Sequence, residues 1–284
     1  MDLLESMNTR LQNAGIADPL REKWQALLGN LRSFRSAAVA YSGGVDSGFL
    51  AYVTFLALGD RMVALTINSS LEPPDMLSRA AQFATNNGFR HVIMNLEALQ
   101  NPELRANPVN RCYLCKTAIL NAIWKYARQN DFQVVLEGQN ADDLQDYRPG
   151  RKAVEETGAV SPLAGCGLTK AEIRWLARAL GLSIWDQPSS PCLASRFPYG
   201  TPITKEGLNR VALAEAFLHD KGFKTVRVRY HNELARIEID PDQIQQLIDW
   251  RAELVKYFKQ IGFLYVALDL QGYRLGSMNE GLSA

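Results

Sequence analysis

Ser42-Gly43-Gly44-Val45-Asp46-Ser47 combines two glycines, two hydroxyls and a carboxylate in one short stretch. The glycines let the backbone take a positive φ and approach a ligand closely. If a helix follows, its first amides point at an anion, and Ser42 and Ser47 add hydroxyl donors. The Gly-Lys-Ser/Thr ending of a Walker A loop is missing, and so is a GxGxxG pattern. Asp46 is out of place in a loop that holds only phosphate, because a carboxylate repels polyphosphate. A Mg²⁺ ion between the two removes the conflict.

The cysteines form a second group. Of the four, Cys112 and Cys115 make a CxxC within Arg111-Cys-Tyr-Leu-Cys-Lys116, Cys166 lies in Gly-Cys-Gly, and Cys192 opens Cys-Leu-Ala-Ser-Arg-Phe-Pro-Tyr-Gly. Four thiols are few for 284 residues, and the N-terminal MDLLESMNTRLQNAG is charged, without the apolar run or cleavage site of a signal peptide. A reduced, cytoplasmic setting is therefore expected, in which cysteine spacing speaks of metal or redox chemistry before disulfides. One CxxC leaves four readings open. The thiols are incidental; they form a Cys₄ zinc site, for which a second CxxC is expected; they are a thioredoxin-like pair; or Cys112, Cys115 and Cys192 hold an iron–sulfur cluster with one iron left open.

The intervening residues read as elements able to position these groups. Residues 3–33 form two helices broken at Gly15–Pro19. Short apolar runs at Ala37–Tyr41, Arg61–Asn68, His91–Leu96 and Phe132–Glu137 alternate with helical stretches at Asp46–Leu58, Pro73–Asn87 and Leu114–Gln129. This alternation predicts an α/β fold, a parallel sheet with helices on both faces that binds ligands at the carboxyl ends of its strands. Residues 138–168 lose periodicity and read as a working loop. Thr169 opens a helix with a Thr-x-x-Glu capping box. After an irregular stretch, 182–204, the pattern becomes helix, two strands (Thr225–Tyr230 and Leu234–Ile239), one long helix (Pro241–Gln260) and a strand (Phe263–Leu270). Residues 1–200 are thus expected to form the main domain and 201–284 a small C-terminal α+β domain for substrate binding and oligomerisation.

Ser42–Ser47, following a predicted strand and opening a predicted helix, resembles the PP-loop motif SGGxDS of the adenine-nucleotide alpha-hydrolase-like ATP pyrophosphatases. That resemblance implies a PP-loop (HUP-like) domain with a five-stranded type of sheet. It implies ATP binding by Ser42, Gly43, Gly44, Val45, Asp46 and Ser47, with Asn68 and Ser69 near the adenosine and Gly138 near the α-phosphate. It also implies Mg²⁺ on Asp46. The wider stretches SGGVDS, NRCYLCK, SPLAGCGLTKAEIR, WDQPSSPCLASRFPYGT and VRVRYHNELARIEI resemble the LarE family, the ATP-dependent sulfur-insertion enzymes of nickel-pincer nucleotide synthesis.

The family resemblance implies adenylation of a carboxylate of pyridinium-3,5-biscarboxylic acid mononucleotide, pyrophosphate release, and replacement of AMP by sulfur. The family has members that sacrifice the sulfur of one cysteine, matching Cys192, and members with three cysteines and a [4Fe–4S] cluster. The presence of Cys112 and Cys115 fits the second type, and Cys166 is read as incidental. Candidate contacts to the anionic acceptor are Ser195, Arg196, Arg227 and Arg229, with Tyr113 placed to stack on the pyridinium ring. Glu215 and Glu238 are candidate metal or substrate ligands. The family also suggests a hexamer, and a sulfide donor or cysteine desulfurase as partner.

Composition limits the rivals. Lys plus Arg number 31 and Asp plus Glu 30, a net charge of +1, with 47% apolar residues. This excludes a disordered chain and disfavours a tRNA-thiolation enzyme, which needs a basic surface. No apolar run approaches the roughly 20 residues of a membrane span. An ammonia-using amide-forming enzyme would leave three cysteines without a task. A non-catalytic nucleotide sensor would leave the CxxC unexplained.

Overall fold

The computed structural model describes residues 3–144, 149–188 and 191–274. In chain order the elements are α1 (Leu3–Asn13), α2 (Asp18–Arg32), β1 (Ala37–Ala40), α3 (Val45–Leu58), β2 (Met62–Asn68), α4 (Met76–Asn87), β3 (His91–Asn95) and α5 (Pro102–Arg105). Next come α6 (Arg111–Gln129), β4 (Val134–Leu136), α7 (Pro149–Thr157), α8 (Pro162–Gly165), α9 (Lys170–Ala179) and α10 (Lys205–Asp220). The chain ends with β5 (Val226–His231), β6 (Leu234–Ile239), α11 (Ile244–Asp249), α12 (Arg251–Gln260) and β7 (Tyr265–Leu268). It divides into two compact units. One comprises residues 1–69, 75–96 and 112–190; the other comprises 70–74, 97–111 and 191–284.

The first unit is built on a parallel sheet of order β3-β2-β1-β4. Successive side chains of a strand point to opposite faces, and here both faces are covered. Ala37, Val39, Met62 and Ala64 join one apolar cluster with Leu27 of α2, Phe49 of α3 and Ile173 of α9. Ala38, Val63 and Leu65 join another with Leu120 and Ile123 of α6 and Val154 of α7. Helix α2 buries Trp24, Leu27, Leu28 and Leu31, one stripe of a 3.6-residue period. Helix α3 is buried along nearly its whole length, as its unbroken apolar sequence requires.

Three expectations need correction. Among the described residues the sheet has four strands, not five. The next position beside β4 is reduced to one parallel bridge, Leu136–Val160. The ladder stops there for a chemical reason: Val160 donates to Val135 O and Glu137 donates to Val160 O, but the next donor would be residue 162, a proline without an N–H. The presumed working loop carries helix α7, secured by buried Ala153 and Val154 and by the i,i+4 pairs Arg151–Glu155 and Lys152–Glu156; its residues 145–148 lie outside the described set. The long helix expected at 241–260 breaks at Trp250, whose ring takes Lys221 Nζ at 4.1 Å. That tertiary contact has no counterpart in local periodicity.

In the second unit, β5 pairs antiparallel with β6 and β6 pairs parallel with β7. Phe223, Val228, Ile237, Phe258 and Phe263 form its core. No helix among the described residues is long and apolar enough to cross a membrane.

Candidate functional site

In the first unit the site forms where β1 and β4, neighbours in the sheet, end side by side. Ser42–Gly44 joins β1 to α3, with Gly44 as the helix N-cap. Gly43 has φ +74°, a left-handed conformation that favours glycine. The two hydroxyls close the loop on itself. Ser42 N donates to Ser47 Oγ at 3.2 Å, the two Oγ atoms lie 3.0 Å apart, and Ser47 Oγ donates to Gly44 O at 3.3 Å. The loop is thereby held in shape, with the first-turn amides of α3 left for a ligand. Gly138, just after β4, packs on it so tightly that a Cβ there would stand 3.0 Å from Ser47 N.

Asp46 lies in the first turn of α3, largely buried. Lys170 Nζ donates to its Oδ2 at 2.6 Å, while Oδ1 is buried without a hydrogen bond of good geometry. Burial raises the Asp46 pKa; Lys170 opposes this, nearby Asp143 adds to it, and the Asn140 amide gives a small lowering. A buried orphan oxygen beside a second carboxylate is a donor set that fits Mg²⁺. Lys170 is placed by the capping box read from sequence: Thr169 Oγ1 accepts from Glu172 N, and Glu172 Oε2 accepts from Thr169 N at 2.8 Å. Lys170 N also donates to Asp142 Oδ2 at 2.8 Å.

Asn68 and Ser69 follow at the end of β2, where Asn68 Nδ2 donates to Asn95 Oδ1 at 2.8 Å. His91 is structural: its Nε2 lies 2.8 Å from Thr66 Oγ1, which donates to Tyr41 O, and burial lowers its pKa. Cys112 and Cys115 sit in the first turn of α6, three residues apart and so on one face, the first exposed and the second partly buried. Tyr113 between them is engaged: its OH donates to Glu156 Oε2 at 2.5 Å, and Lys152 Nζ stands 5.4 Å from its ring centroid. Partial burial raises the Cys166 pKa.

The second unit gathers the remaining candidates. Cys192 precedes a 3-10 turn, Leu193–Arg196, and Ser195 Oγ donates to Cys192 O at 2.8 Å. The Arg196 side chain is only 3% exposed. Its Nη1 donates to Pro191 O, Cys192 O and Ser195 Oγ, and its Nε and Nη2 clasp both oxygens of Glu215. Glu215 Oε1 also accepts from Val228 N at 2.9 Å. Arg229 Nη1 donates to Ser195 O and its Nη2 to Glu238 Oε2, while Arg236 Nη2 donates to Glu238 Oε1. Arg227 lies beside Tyr273, 5.2 Å from the ring centroid, and burial followed by the Arg196 charge lowers its pKa. Glu215 and Glu238, candidate metal ligands from sequence, thus meet guanidinium groups, and Arg196 faces inward onto the Cys192 turn. Ser189 and Ser190 of that segment lie outside the described residues.

No family model matches the chain. An uncharacterized protein of Synechocystis sp. is 44% identical over 265 residues, covering 91% of this chain and 99% of its own length. The pyridinium-3,5-bisthiocarboxylic acid mononucleotide synthase of Lactiplantibacillus plantarum is 35% identical over 265 residues, 93% of this chain and 96% of its own length. The chain belongs to the LarE family. An uncharacterized protein of Methanocaldococcus jannaschii, 32% identical over 236 residues, covers 83% of the chain.

Three residues of this LarE-family chain were missed by sequence reasoning: Lys170, Lys116 and Glu137. Lys116 Nζ donates to Glu137 Oε2 at 2.7 Å, and Ser161 Oγ and Gln139 N both donate to Glu137 Oε1. The signals were weak but present. Lys116 directly follows the CxxC, Glu137 directly precedes Gly138, and Lys170 stands at the first position of a capped helix.

Proposed function

We propose that this chain is an ATP-dependent sulfur-inserting synthase. It adenylates a carboxylate of pyridinium-3,5-biscarboxylic acid mononucleotide, releases pyrophosphate, and replaces AMP by sulfur to give the thiocarboxylate. The observation that carries this reading is the SGGVDS loop, closed on itself at a helix N-terminus with a buried orphan oxygen on Asp46, in a chain 35% identical to a bisthiocarboxylate synthase over nearly its full length. A carboxylate is a poor acyl donor because its oxygen leaves badly, and AMP is a good leaving group. The α3 amides and Lys170 stabilise charge on the departing pyrophosphate. Mg²⁺ held at Asp46 would supply Lewis acidity there.

In this reading, residues 1–200 bind and activate the nucleotide, and 201–284 serve substrate binding and oligomerisation, with a family-like hexamer as the assembly. Cys112, Cys115 and Cys192 hold a [4Fe–4S] cluster. Two thiols on one face of a helix N-terminus, and a third on a turn fixed by Arg196, are a suitable donor set. When bound, the cluster supplies a place for transferable sulfur. Ser195, Arg227 and Arg229 lend the second unit a local positive potential for an anionic acceptor. The setting is cytoplasmic, and a sulfide donor or cysteine desulfurase reloads the sulfur.

The test is anaerobic purification with iron and sulfide analysis, then incubation with ATP, Mg²⁺ and the biscarboxylate nucleotide. The expected result is bound iron and a mass gain matching oxygen-to-sulfur exchange, lost in Cys112→Ala. Iron-free protein that turns over while converting Cys192 to dehydroalanine overturns the cluster in favour of sacrificial transfer. Full turnover by Cys192→Ala overturns both.

A second expected outcome concerns Gly138→Ala. A Cβ there meets loop backbone, which cannot swing aside as a side-chain tip can. The loop must shift, at about 1–3 kcal/mol, so ATP affinity is expected to fall about 10- to 100-fold. Titration calorimetry with a non-hydrolysable ATP analogue checks this; unchanged affinity refutes it.

A further inference from the structure

We infer that Lys116 is a positioning residue that couples the thiol pair on α6 to the nucleotide loop, so that sulfur transfer follows adenylation without loss of the activated intermediate. The inference rests on the synthase reading above.

The connection is continuous within the first unit. Lys116 follows Cys115 directly and lies one helical turn beyond Cys112, so any displacement of its ammonium moves the turn that carries both thiols. Its Nζ donates to Glu137 Oε2 at 2.7 Å, and Glu137 is only 4% exposed. That carboxylate is fixed at its other oxygen by Ser161 Oγ and Gln139 N. The next residue, Gly138, bears directly on Ser47 N of the nucleotide loop. The lysine stem is confined as well: a Cβ added at Gly150 would stand 3.1 Å from Lys116 Cδ. A shift of the loop on nucleotide binding is therefore passed through Gly138 and Glu137 to Lys116 and the cysteine turn. Neutralising buried Glu137 alone would need only a nearby cation. It does not require that the cation stand beside the CxxC, with its stem enclosed.

The experiment measures two products in one reaction: pyrophosphate released, and thiocarboxylate formed by mass spectrometry. Their ratio reports coupling, because an activated carboxylate that meets no sulfur is lost to water. In Lys116→Gln the ratio is expected to fall about 10- to 100-fold, the cost of a small misplacement of reacting groups. Pyrophosphate release should stay within about twofold. Lys116→Arg, which keeps the ion pair, should restore most of the ratio.

A purely structural role would lower both products together and leave the ratio unchanged, which overturns the inference. If Lys116→Gln does not fold, the pair Lys116→Met with Glu137→Met removes the buried charge as well as the link, a replacement that proteins commonly tolerate. It should fold and show the same uncoupling; a folded double variant with a wild-type ratio overturns the inference. Wild-type protein that releases no pyrophosphate with the biscarboxylate nucleotide refutes the synthase reading instead, so the two failures are distinct.

Discussion

Asp46→Asn is expected to lower pyrophosphate release by about 10²- to 10³-fold while leaving ATP affinity the same or tighter. The substitution keeps size and shape but removes the charge that a Mg²⁺ ion needs. In the ligand-free site, Lys170 Nζ holds Asp46 Oδ2 at 2.6 Å, and burial works against ionisation. With asparagine at this position the lysine loses its anionic partner and becomes free to pair with phosphate, and the repulsion between carboxylate and triphosphate disappears. Ground-state binding therefore does not suffer, and the loss falls on kcat. Steady-state kinetics with a coupled pyrophosphate assay, together with a direct ATP titration, separate the two quantities. Release within about fivefold of wild type, well short of the expected loss, would show that the metal is held elsewhere. A loss confined to ATP affinity would mean that Asp46 shapes the loop and does not serve the chemistry.

Much of this site can be read from sequence because its signals are local. The loop, its strand and its helix are contiguous, and the Thr169–Glu172 capping box occupies four consecutive positions, so nearest-neighbour chemistry identifies both. The alternation of apolar runs and helical stretches likewise reveals the parallel sheet. The missed features are those whose partners are remote. Lys170 meets Asp46 across 124 positions and Lys116 meets Glu137 across 21, and no periodicity encodes such pairs. The truncated fifth strand follows from one missing N–H at Pro162, which matters only once Val160 lies beside β4. Buried charge shows the same limit. Arg196, Glu215, Arg229 and Glu238 read as surface residues by type, and their burial becomes visible only when β5, β6 and α10 are assembled.

That burial underlies the second large effect. Glu215→Ala is expected to destabilise the protein by about 3–5 kcal/mol, because it strands the Arg196 guanidinium away from water. At roughly 2–4 °C per kcal/mol the melting temperature should fall by roughly 6–20 °C. The damage should also be directional. Arg196 Nη1 fixes the Pro191 and Cys192 carbonyls while Nε and Nη2 are clamped by Glu215, so loss of the clamp releases the turn that presents the Cys192 thiol. Replacing both partners, Arg196→Met with Glu215→Met, removes the uncompensated charge and should recover most of the stability. It cannot restore the grip on the Cys192 carbonyl, so sulfur transfer should remain impaired in a protein that is again folded. Thermal and denaturant unfolding of the single and double variants, set beside thiocarboxylate yield, checks each part. A single variant within about 1 kcal/mol of wild type would mean that water reaches Arg196 and the pair is not truly buried. A double variant that regains full sulfur transfer would mean that the turn holds its shape without arginine, and that Ser195 alone anchors Cys192.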